Sequence, residues 1–231
     1  PDLLAIASFY KDWASIGGGL SSKYLMSYGD LPRSANDYSP GNLMMPRGAI
    51  IDGNLNEVHD IDLGKLDEIQ EYVTHSWYKY GDEQKGLHPF QGETVPNFDI
   101  GNAKGTKTRI EAVDESAKYS WVKAPRWNGH AMEVGPLARY VIGYVKGIPE
   151  FKDPTDMVLA KLGGVPVTAL FSTLGRTAAR GLECSWAAHK LKDEFNKLVA
   201  NIKAGDTATA NMANFEPSTW AKSAKGHGFV E

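Results

Sequence analysis

One thiol, six histidines and a few arginine–carboxylate spacings are the side chains of this chain that could do chemistry. Cys184 with His189 has the composition of a thiolate–imidazole nucleophile, which needs both groups within hydrogen-bond reach. Five residues along a helix leave two side chains about 140° apart, so this pair does not face itself. A lone cysteine on the apolar stripe of a helix behaves as a small buried hydrophobe, and one thiol cannot build a thiolate cage for a metal. His59, His75, His88, His130, His189 and His227 form no i, i+4 pair and no zinc-ligand spacing, which favours structural or surface roles. Gly17-Gly18-Gly19 lacks the Lys-Ser/Thr of a phosphate loop, and no carboxylate pair stands at a spacing that argues for hydrolysis. Read from residues alone, the chain carries no self-contained catalytic constellation, and no catalytic residue or metal ligand is expected in it.

The densest stretch runs from Trp121 to Arg139, WVKAPRWNGHAMEVGPLAR. Glu133-Val134-Gly135-Pro136 is built like a helix entrance. Pro136 suits the first helical turn, where its missing N–H costs nothing, and Glu133 just ahead of it favours the positive end of the helix dipole. Leu137, Val141, Tyr144 and Val145 then follow at helical spacing. Arg176 and Arg180 lie one helical turn apart with Glu183 on a nearby face, a pattern for ion pairs with neighbouring segments.

The elements that must position these residues follow from pattern and punctuation. Leu3 to Trp13 reads as a first helix stopped by the three glycines, and the stretch from there to about Arg47 as a long irregular segment. Asp52-Gly53 signals a hairpin between Ala49-Ile50-Ile51 and residues 54–58. Asp62 can cap a helix carrying Leu66, Ile69 and Val73. Residues 76–105 are aromatic but aperiodic, with Trp77, Tyr78, Tyr80, Phe90 and Phe98, and such a loop lies against something larger. Thr108 to Val113 and Lys118 to Lys123 read as strands. A helix follows from Pro136 to about Lys146, then another with Asp153 as its cap, Pro154 as its first residue and Gly163-Gly164 as its stop. Pro166 opens the longest pattern, which Gly205 closes; about 38 residues would reach about 57 Å, the length of a core helix in a large bundle.

Composition sets the outer bounds. With 231 residues, 42% hydrophobic, the chain can bury a substantial core. A formal net charge of −3 gives no reason to expect nucleic acid or an anionic membrane surface as partner. No apolar run approaches the roughly 18 residues that span a bilayer. Pro1 opens directly on a helical pattern and Phe229-Val230-Glu231 closes without a tail, which reads as an internal piece of a longer polypeptide.

Three stretches carry a resemblance. KYSWVKAPRW through EVGPLARY (Lys118 to Tyr140), STLGRTAARGLECSWAAHKL (Ser172 to Leu191) and Gly226-His227-Gly228-Phe229-Val230-Glu231 resemble motifs of the large subunit of nickel-iron hydrogenases, the membrane-associated uptake group in particular. The third resembles the opening of a motif that continues Ala-Pro-Arg-Gly. The resemblance implies a mainly α fold, a long-helix bundle with small antiparallel β hairpins. Residues 1–231 would be one internal fragment, with 48–123 a small β-containing, aromatic-loop part and 134–205 the helical part. It implies H2 as substrate, an iron-sulfur small subunit as partner, and a nickel-iron centre in the full subunit. The family holds that centre by a Cys-x-x-Cys near each end of the subunit, and neither pair is in this chain, so the isolated piece is expected to be inactive. His227 and Glu231 would lie just behind the metal pair, and Glu133 and Arg139 would brace the helix entrance. The same resemblance places the enzyme at the periplasmic side of the cytoplasmic membrane, attached only through partner subunits. The competing expectation is a cysteine-free relative that uses the scaffold structurally, as the quinone-side subunit of respiratory complex I does.

Overall fold

A computed structural model describes residues 2–17, 23–79, 85–92, 94–98, 113, 115–210, 212 and 215–230. It contains helices α1 (Asp2–Phe9), α2 (Pro136–Val145), α3 (Pro149–Lys161) and α4 (Thr173–Lys203). Strands β1 (Leu25–Pro32) and β2 (Leu43–Ile50) pair antiparallel, as do β3 (Ile69–Tyr72), β4 (Ala124–Trp127) and β5 (His130–Ala131) in the order β3-β4-β5. Helices with small antiparallel sheets are thus the architecture of the described residues.

The β1–β2 hairpin is the partition of the molecule. Leu25 and Ile50 face a helical core built with Leu137, Val141, Ile142, Phe151 and Leu182. Met26, Tyr28 and Ala49 face a second core with Ile61, Ile69, Trp127 and Met132. Successive side chains of a strand point to opposite faces, and both faces are covered along β2 and the first half of β1, whereas Asp30 and Leu31 are exposed. This corrects the expectation of an irregular segment up to Arg47. A strand buried on both sides shows no polar alternation, so nothing in LMSYGDLP or LMMPRGAI announces one.

Other expectations shift for local reasons. Asp52 and Gly53 do adopt positive φ, 50° and 66°, but the returning chain pairs only through Ala49 and His59, not as a strand over 54–58. No helix follows Asp62, whose carboxylate instead accepts from the Gly64 N–H at 2.9 Å. Ile69 and Val73, four apart, fit a helix face and a strand face equally, and the strand wins through pairing of β3 with β4. The strand expected over 118–123 is displaced to Ala124–Trp127; of the one expected over 108–113, residues 108–112 lie outside the described residues. Helix α3 starts at Pro149 rather than after Asp153, with Pro154 inside it, because fully buried Phe151 packs against Tyr140 of α2 with ring centroids 5.1 Å apart. At Gly143 any side chain would collide with Phe151.

Pro166 does not open α4. Residues 167–170 form a separate 3-10 turn, and Ser172 caps α4 by accepting from the Gly175 N–H at 3.0 Å. A Cβ at Gly175 would overlap the Leu170 carbonyl, so glycine lets the turn fold back on the helix. The 31 residues of α4 extend about 46 Å. Its first half is buried through Ala178, Ala179, Leu182 and Trp186, whereas Leu191, Phe195, Leu198 and Ile202 are exposed.

Candidate functional site

The Trp121–Arg139 stretch folds into a brace. Asn128 and Gly129, with φ of 47° and 80°, make the two-residue turn between β4 and β5. The next residues lie beside β1: the Glu133 N–H donates to the Tyr24 carbonyl at 2.7 Å, and the Met26 N–H donates to the Glu133 carbonyl at 2.9 Å. Gly135 then takes φ 104° as the N-cap of α2, a conformation that L side chains resist, and Pro136 enters as the first helical residue.

Two forked ion pairs of opposite polarity join this segment to α4. Arg176 donates from Nε and Nη2 to the Glu133 carboxylate at 2.6 and 2.8 Å. Arg139 donates from Nε and Nη2 to the Glu183 carboxylate at 2.8 and 2.7 Å. Six residues separate Glu133 from Arg139 and seven separate Arg176 from Glu183, so the pairs lie in register along the two elements. Arg176 also donates to the Gly17 carbonyl at 2.8 Å, which ties the N-terminal segment to the same point. The Glu133 hydrogen bond, working against burial, holds the Arg176 guanidinium above its ordinary pKa. Arg139 is buried, and bidentate geometry is what makes a partly buried pair net favourable. Arg180, grouped with Arg176 in the sequence, is exposed.

A second cluster gathers around the C-terminal segment. His227 lies edge-to-face with His88 at 5.3 Å, Phe90 at 5.6 Å and Phe229 at 5.3 Å. Phe229 reaches Tyr28 of β1 at 4.6 Å and His88 at 5.7 Å. The Lys225 ammonium sits 4.3 Å from the Phe90 ring centre. His88 is fully buried, with Nε2 3.0 Å from the Leu63 carbonyl and Nδ1 3.1 Å from the Phe90 N–H. These partners fix one neutral tautomer, Nε2–H donating and Nδ1 accepting. Burial pushes the imidazole below its ordinary pKa, outweighing the Leu63 carbonyl, so the neutral form is also the preferred one.

Beside His227 opens a cleft of about 660 Å³ lined by Glu71, Tyr78, Trp121, Lys123 and others. Glu71 pairs with Lys123 at 3.4 Å. Burial pushes the Glu71 carboxyl up even so, because the Lys123 charge offsets only part of the desolvation.

The remaining candidates stay apart. Cys184 is exposed rather than buried on the apolar stripe as expected, because Leu182 and Trp186 take the inward face of α4, and His189 Nδ1 turns back to the Ser185 carbonyl at 2.7 Å. His130 stacks on Tyr24, His75 stacks on Tyr119, and His59 lies 3.5 Å from Glu57. Among the described residues no group of three or more His, Cys, Asp or Glu side chains could hold a metal ion. A thiolate cage for nickel and iron needs several convergent sulfurs; one exposed thiol does not fit it, so these residues hold no such centre by themselves. Glu231 lies outside the described residues. The structure therefore groups Glu133 with Arg139 through α4 and puts His227 in a separate aromatic cluster. His88 was not singled out from the sequence; a histidine whose role depends on partners 25 and 139 residues away leaves no local signal.

Comparison with known proteins gives a consistent picture. The profile of a nickel-dependent hydrogenase family matches residues 1–231. The uptake hydrogenase large subunit of Rhizobium leguminosarum bv. viciae is 62% identical over 232 residues, covering 100% of this chain and 39% of the relative. That of Bradyrhizobium diazoefficiens is 61% identical with the same coverage. The chain thus spans about two fifths of the length of these relatives. The Ni-Fe-Se hydrogenase from D. vulgaris Hildenborough aligns with a TM-score of 0.58 and 26% identity, over 90% of this chain and 37% of that one.

Proposed function

The chain belongs to the nickel-dependent hydrogenase family, and we propose that it forms the central part of the large subunit of a nickel-iron uptake hydrogenase. The complete subunit would oxidise H2 reversibly to protons and electrons and pass the electrons to an iron-sulfur small subunit. The observation that carries this reading is the match along the whole chain to uptake hydrogenase large subunits. The nickel-iron centre would be held by cysteines of the complete subunit, and this part would contribute scaffold. Residues 48–123 and 134–205 serve in this reading as the β-containing and helical parts of one subunit.

Within that scaffold Glu133 and Arg139 fix the entrance of α2 against α4, and His227 with Glu231 belongs to the stretch that approaches the metal pair. The isolated chain carries no hydrogen uptake and no nickel, and dissolves poorly because exposed Leu191, Phe195, Leu198 and Ile202 form an apolar stripe. No helix among the described residues is long and apolar enough to cross a membrane, and attachment to the periplasmic side of the cytoplasmic membrane would come through partner subunits.

The test is to produce the complete large subunit with its small subunit and measure nickel content and H2-dependent dye reduction. Stoichiometric nickel with uptake supports the reading. A complete subunit that folds and pairs but takes up no nickel would overturn it and leave a purely structural relative.

A further inference from the structure

The segment 226–230 has neither helix nor strand, and the aromatic contacts of His227 and Phe229 dock it. These two residues stand two positions apart, and both meet the same side chain, His88. We propose that His88 is a positioning residue, the fixed platform that sets where Gly226–Phe229 lies. This rests on the reading above, in which that segment approaches the metal pair.

Three observations carry it. His88 is itself immobilised, since both ring nitrogens are engaged by backbone groups and the ring is fully buried. Its backbone is anchored on both sides: Leu87 exchanges hydrogen bonds with Glu71 of β3, and the Gln91 and Gly92 N–H groups donate to the His88 carbonyl. Finally, the platform is shared, because Phe229 also packs on Tyr28 of β1, so His88 registers the segment against both sheets. A phenylalanine at 88 would keep a ring of similar reach but leave the Leu63 carbonyl and Phe90 N–H unpaired. An asparagine would keep one polar contact and remove the platform.

Lys225 gives a direct readout, because trypsin cleavage after it reports release of the segment that follows. In the complete subunit with its partner, His88→Asn should speed cleavage after Lys225 at least tenfold, with other tryptic sites unchanged. It should lower kcat for H2 about tenfold per nickel bound and leave KM unaltered. His227→Ala combined with Phe229→Leu leaves His88 intact and should give at least the same change, because it also removes the contacts with Phe90 and Tyr28. Both routes break the contacts of His88 with His227 and Phe229, so combining all three substitutions should add nothing beyond the double substitution. His88→Phe should fall between wild type and His88→Asn. If His88→Asn does not accumulate, the His227→Ala, Phe229→Leu pair decides alone. Unchanged cleavage, effects that multiply, or release of the segment without loss of kcat would each overturn the proposal. Failure of the wild-type complex to bind nickel or use H2 would instead overturn the functional reading.

Discussion

The two ends of the family-like stretches are held by opposite physics. The entrance of α2 is fixed by charge: Glu133–Arg176 and Arg139–Glu183 are forked, directional and partly buried. The segment 226–230 is held by ring contacts, on a histidine kept neutral. Forked pairs specify distance and angle but fail abruptly when one partner is lost, because the other is left buried and unpaired. Ring packing is broader in geometry and fails gradually. The molecule therefore has one joint that sets whether the helices assemble and another that sets how finely a loop is placed.

Removing the buried guanidinium should break the first joint hardest. Arg139→Leu strands the Glu183 carboxylate. Complete loss of one partner of a buried pair costs about 3–5 kcal/mol, and the partial exposure of Glu183 brings the expected loss to about 2–3 kcal/mol. Urea midpoints of the complete subunit measure it. Nickel content should fall with stability while the rate per nickel holds. Glu133→Gln should cost less, about 1–2 kcal/mol, since the amide still accepts one hydrogen bond from Arg176. Full nickel content with a lost rate in either variant would mean that these residues act on turnover, and the contrast between the joints would collapse.

The second joint should give the smaller thermodynamic effect. Phe229→Ala removes contacts with Tyr28 and His88 from a residue that is only half-buried, so about 1–2 kcal/mol is expected. Its urea midpoint should move less than that of Arg139→Leu, while its rate per nickel should fall more. A reversed order would show that the segment is structural and the brace is the tuned part.

This asymmetry also explains what could be read in the sequence. The helix entrance and the charged face of α4 were legible because each is local: Gly135-Pro136 marks a helix start, and Arg176 and Glu183 stand at spacings that offer charge to a neighbour; that they meet Glu133 and Arg139, 43 and 44 residues away, was not. The end of α4 near Gly205, with φ 89°, was legible for the same reason. Asn128-Gly129 was an equally strong turn signal that went unused, and it fixes the β4–β5 hairpin. By contrast β2 and the first half of β1 hide because both faces are buried, and His88 hides because its meaning comes from distant partners. Charge left a trace in sequence spacing, whereas shared burial did not.

Acid should separate the two regions a final time, by a few tenths of a kcal/mol at the screened, partly exposed sites concerned. Burial alone would raise the Glu150 carboxyl of α3, but hydrogen bonds from Lys190 and Trp186 of α4 overcome it and hold its pKa below the ordinary carboxylate value. A depressed folded pKa means that the unfolded chain binds more protons, so this contribution is present above the ordinary value and lost as pH falls through the folded one. Glu71, near His227, runs the other way. Burial raises it past what Lys123 recovers, so its folded form prefers the proton; its contribution is present below the ordinary value and disappears as pH rises through the folded one. Between pH 7 and 4 the helical side should weaken while the Glu71 side is partly spared. Urea midpoints across that range should fall less steeply in Glu150→Gln and more steeply in Glu71→Gln than in the parent. Equal slopes in all three would mean that neither carboxyl differs from its unfolded state, and that charge distinguishes the two regions only through the forked arginine pairs.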